Sequence, residues 1–76
     1  MTGNRGAKKR YYTLAVRDHG VWGPQYGSYS RADSHEEMLD YAERYALKDL
    51  KIIRTADDQG AIDAAIAKLN STGRGA

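Results

Sequence analysis

Asp18-His19 is the first pair in this chain whose types and spacing belong to chemistry, because an imidazole beside a carboxylate can be oriented as a general acid or base. No nucleophile or metal partner stands at a recognisable spacing from it, so the pair reads as part of an exposed turn. His35 falls on an apolar stripe and reads as a histidine packed at the rim of a core. Glu36, Glu37, Asp40 and Glu43 form an acidic run that suits a cation or a basic partner, with a solvated helix face as the simpler reading. Asp57-Asp58 is accounted for by the positive end of a helix dipole. Gly20-Val21-Trp22-Gly23 has the spelling of a GXXG loop but falls on a hairpin rather than between two helices. There is no Gly-rich phosphate loop, no GxSxG, no HExxH and no helix-turn-helix pattern. The chain has no Cys, which excludes a disulfide framework, a zinc knuckle and a thiol nucleophile. The expectation is a protein that is not an enzyme, with no catalytic residue, cofactor or metal.

Binding chemistry is better represented. Trp22-Gly23-Pro24-Gln25-Tyr26-Gly27-Ser28-Tyr29 alternates three aromatics with Gly, Pro and Ser, which sets rigid amphipathic rings on a backbone that allows close approach. With Tyr11 and Tyr12 on the preceding strand, these rings would form a recognition patch on a sheet face that helices leave uncovered. The basic residues are segregated. Arg5, Lys8, Lys9 and Arg10 precede the first element with no acid among them, whereas residues 11–70 carry all ten acids against Arg17, Arg31, Arg44, Lys48, Lys51, Arg54 and Lys68. The foldable span is thus acidic, and the tail is where phosphate contacts would be expected.

The elements that must position these groups follow from periodicity. Tyr12, Leu14 and Val16 alternate with Tyr11, Thr13, Ala15 and Arg17 as in a half-buried strand. Asp18-His19-Gly20 closes a hairpin, and Val21 to Tyr29 returns as a strand that Pro24 confines to an edge or a bulge. Ser30 or Ser34 caps a helix that turns His35, Met38, Leu39, Ala42, Tyr45 and Ala46 inward. Leu50 to Arg54 makes a third strand, and a helix with Ile62, Ala65, Ile66 and Leu69 inward ends around Asn70-Ser71-Thr72-Gly73. The expected fold class is α+β: a two-layer ββαβα sandwich with a mainly antiparallel three-stranded sheet in the order 2-1-3 and both helices on one face. Residues 1–10 and 71–76 are expected to be disordered tails around a single domain at 11–70. Leu14, Val16, Leu39, Leu50, Ile52, Ile62, Ile66 and Leu69 are the expected core. No apolar run is long enough for a membrane span or a signal peptide, which points to the cytoplasm.

The aromatic stretch through Ser30-Arg31, together with Glu37, Asp40-Tyr41, Asp49-Leu50-Lys51-Ile52-Ile53-Arg54-Thr55, Gln59, Ile62-Asp63 and Leu69-Asn70, resembles a group of small uncharacterised phage and prophage proteins. Those proteins often carry Phe and Asp where this chain has Tyr26 and Ser28. The resemblance covers residues 12–70 and implies an accessory role in the host cytoplasm, with no catalytic residues to carry over. Two readings result. In the first, the domain docks on a host or phage protein through Trp22, Tyr26, Tyr29 and Tyr11, with Glu36 and Asp40 steering the encounter. In the second, it accompanies nucleic acid, with Arg5, Lys8, Lys9 and Arg10 on phosphates and Tyr11, Tyr12 or Trp22 stacking on bases, bound weakly. A sheet with two open edges leaves both a monomer and a homodimer open.

Overall fold

The computed structural model describes residues 9–74. Expectations for residues 1–8, Arg5 and Lys8 among them, and for 75–76 lie outside the described residues. The elements are β1 (Arg10–Asp18), β2 (Val21–Ser28), α1 (Arg31–Tyr41), a 3₁₀ turn (Leu47–Asp49), β3 (Leu50–Ala56) and α2 (Gln59–Arg74). The strands form an antiparallel sheet in the order β2-β1-β3, as the alternation and connections predict. Asp18 pairs with Val21, so the hairpin loop is the two residues His19-Gly20 rather than three. Both have positive φ, 55° and 83°, the paired left-handed turn whose twist matches that of the strands. Pro24 sits at the expected irregularity: Leu14 pairs with Tyr26 and Ala15 with Pro24, leaving Gln25 as the bulged extra residue on an edge strand.

The helices do not share a face. Leu14, Val16 and Leu50 pack with Met38, Tyr41 and Tyr45 on the α1 side. Ala15, Trp22 and Ile66 pack with Ile53, Ile62 and Leu69 on the α2 side. The sheet is therefore the middle of three layers, and β1 buries four consecutive residues, Thr13 to Val16, where one-sided burial predicted alternation. Width is the physical reason. Two strand spacings span about 10 Å, roughly one helix diameter, so a three-stranded sheet has room for one lengthwise helix per face. The small neutral residues Thr13 and Ala15 make the second face of β1 a place where Trp22 and α2 can settle.

α1 is turned from the expected orientation. Ser30 is its N-cap, accepting from the Asp33 N–H, and Ser34 lies inside the helix, fully buried. The Ser34 hydroxyl donates to the Tyr12 carbonyl at 2.8 Å, so α1 comes close to β1 on a small polar contact. The inward residues are Ser34, Met38 and Tyr41, followed by Ala42 and Tyr45. Leu39, expected in the core, is 52% exposed, and His35 and Ala46 are exposed as well. The Tyr41 and Tyr45 rings stack at 6.1 Å and fill the place a leucine would have taken. α2 runs on to Arg74, past the end read at Asn70-Ser71-Thr72-Gly73. Asn70 instead ties α2 to β2, accepting from the Trp22 N–H at 2.7 Å and donating to its carbonyl at 3.2 Å.

Candidate functional site

The aromatics grouped by the sequence separate into three places. Trp22 is only 7% exposed, under α2, with the Arg17 guanidinium 5.2 Å from its ring and Asp49 holding Arg17 at 2.8 Å. Tyr26 faces the other side and packs on the Leu14-Val16-Leu50 cluster. Neither lies on an open sheet face, because both faces are covered. Tyr11 and Tyr29 do meet, edge to face at 5.0 Å, at the far end of the α2 side. The Tyr11 ring lies directly over Gly27, where a Cβ on any other residue would collide with it. Tyr29 is exposed and donates its hydroxyl to Asp57 at 3.2 Å, which pushes the phenol pKa above its ordinary 10.0. Lys9 stands 5.7 Å above the Tyr29 ring. Tyr11 also walls a cleft of about 230 Å³ with Thr13, Gln25, Gln59 and Ile62, in a chain region where the buried Thr13 hydroxyl has no partner. Glu36 and Asp40 are exposed on the outer side of α1.

Tyr12 points to the opposite face from Tyr11 and leads to an arrangement that the sequence reading missed. Arg54 pairs directly with Tyr12 across the β1–β3 ladder, and Arg10 lies two residues before Tyr12 on the same face. Arg31 is the first residue of α1, one turn before the Ser34 hydroxyl that pins this helix to the Tyr12 carbonyl. Tyr12, Arg31, Ile52 and Arg54 line a cleft of about 280 Å³. Arg10, Arg31 and Arg54 are all exposed. Among the described residues, the ion pairs are Arg17 with Asp49 and His19 with Asp18, and none of these three arginines meets a carboxylate. A guanidinium at a helix N-terminus opposes the dipole, and one on the strand face of Leu50 and Ile52 interrupts an apolar register. Both are local costs, and both were visible as signals in the sequence.

Chemically, two guanidiniums with no carboxylate partner among the described residues, beside a half-buried phenol ring, suit an anion joined to a flat or apolar group. Among the described residues, no group of three or more His, Cys, Asp or Glu is placed to hold a metal ion. His19 remains a surface residue beside Asp18 at 3.3 Å, with no further ion-pair partner among the described residues. No helix of the described residues is long and apolar enough to cross a membrane. Comparison with protein families, characterised proteins and solved structures finds no match for this chain.

Proposed function

We propose that this protein is a non-enzymatic accessory domain that binds single-stranded nucleic acid in the Tyr12 cleft. The observation that carries this reading is that Arg31 and Arg54, neither paired with a carboxylate of the described residues, line one cleft with the Tyr12 ring, while Arg10 lies on the same face of β1. The guanidiniums hold phosphate oxygens, and the Tyr12 ring takes an unstacked base or sugar, a contact worth about 1–3 kcal/mol in such sites. A single strand fits because its bases can leave the stack and enter a cleft, whereas a duplex presents only its backbone there. Arg10, the first residue of β1, adds a further exposed cation on the Tyr12 face of that strand.

The test is fluorescence anisotropy of a labelled oligothymidylate with the full chain. Arg31→Ala with Arg54→Ala should lower affinity at least about tenfold while circular dichroism stays native. Undiminished binding by that double variant, with binding lost on deletion of residues 1–8, would move the activity to the tail and sink the cleft. A second reading, docking on a basic protein, is favoured by one observation: Leu39 stands 52% exposed between Glu36 and Asp40 on the outer side of α1. Leu39→Ala should then weaken capture of that partner and leave oligonucleotide affinity unchanged.

A further inference from the structure

β3 closes one side of the sheet, and among the described residues no strand lies beyond it. The two sheet edges differ in kind. β2 carries Pro24, which has no N–H, and the bulged Gln25, so a strand laid along it would lose its ladder midway. β3 pairs with β1 in an unbroken register, and its seven residues include neither proline nor glycine. Its central residues Ile52 and Ile53 face α1 and α2 respectively, and both stay half-buried. Cover therefore runs out at this edge on both sides of the sheet.

We propose that a second copy of this chain pairs with the first along β3, antiparallel, about a two-fold axis through Ile53. The register follows from geometry. A two-fold axis normal to the sheet keeps each face continuous between copies, which requires one residue to lie opposite itself. The midpoint of the seven-residue strand is Ile53, so this register uses all of β3. Leu50 then lies across from the partner's Ala56, Lys51 from the partner's Thr55, and Ile52 from the partner's Arg54. Exposed charges such as Lys51 and Arg54 ordinarily guard an edge against pairing. In this register neither meets its like: Lys51 faces a hydroxyl, and the aliphatic stem of Arg54 lies along an isoleucine. A register centred on Arg54 would set arginine against arginine and leave part of the strand unpaired.

The pairing rests on β3 alone and stands or falls independently of the nucleic-acid reading. Should both hold, the six-stranded sheet presents two Tyr12 clefts on one face, and a single strand gains two attachment points. The experiment is sedimentation velocity of the full chain over a wide concentration range, with folding of each variant checked by circular dichroism. Wild type should show concentration-dependent dimerisation. Thr55→Lys sets an ammonium against the partner's Lys51 at two symmetric places and should weaken association about tenfold, whereas Thr55→Glu should tighten it. Adding Lys51→Glu to Thr55→Lys should restore the dimer. Strictly monomeric wild type, or association indifferent to all three variants, overturns the proposal, and neither outcome bears on oligonucleotide binding by the cleft.

Discussion

Tyr29 and Asp57 are 28 residues apart in sequence and joined by one hydrogen bond of 3.2 Å, in which the phenol donates and the carboxylate accepts. Ionising the phenol would remove that bond and set two negative charges side by side, so the pKa lies above 10.0 in the folded state. The neutral phenol is the stabilised form. Whatever stability this contact adds is present below pH 10 and is lost as pH rises through the raised folded-state value. Following the Tyr29 ring protons by NMR against pH should show a midpoint above 10.0 that falls back toward it in Asp57→Asn. A midpoint unmoved by that substitution would show that the hydrogen bond does not form in solution. Arg54 teaches a different lesson at the same scale. Summed over the body its charge disappears into an acidic total, yet its position on the Leu50-Ile52 face already marked it as a cation directed at an apolar surface.

At the scale of the element, α1 shows why hydrophobicity alone misplaces a helix face. Leu39 is the most apolar residue near its middle, but the buried Ser34 hydroxyl and the Tyr41 and Tyr45 rings decide which side meets the sheet. Leu39→Ala should consequently change stability by less than about 0.5 kcal/mol, while Ile66→Ala, which opens the α2 side of the core, should cost about 2–4 kcal/mol. Urea titrations of the two variants would separate these outcomes, and equal losses would contradict the assigned faces. Asn70 gives α2 its second attachment, through both backbone groups of Trp22. Asn70→Ala should destabilise by about 1–2 kcal/mol in the same titration and speed hydrogen exchange at the Trp22 amide. Nothing in the sequence distinguished this asparagine from a helix-ending one.

At the scale of the whole molecule, charge is divided between surfaces. Glu36 and Asp40 face outward along α1, whereas Arg31 and Arg54 line the Tyr12 cleft and Arg10 lies on the same face of β1. A polyanion is repelled from one surface and drawn to the other, which orients it before contact. For a single strand each neutralised phosphate contributes about 0.7 to the slope of log affinity against log salt, so Arg31→Ala with Arg54→Ala should flatten that slope by about 1.4. An unchanged slope would mean that neither arginine meets a phosphate.

The sequence by itself determined the element order, the hairpin, the irregularity at Pro24, the antiparallel order β2-β1-β3 and most of the core, because alternation, turn chemistry and short connections are local properties. Only the tertiary structure decided that the helices take opposite faces, that Trp22 is core, and that Arg31 and Arg54 line a cleft with Tyr12. Those outcomes depend on sheet width, on which residues are small enough to admit a neighbour, and on strand register across more than forty positions between Tyr12 and Arg54. None of these is carried by spacing along the chain.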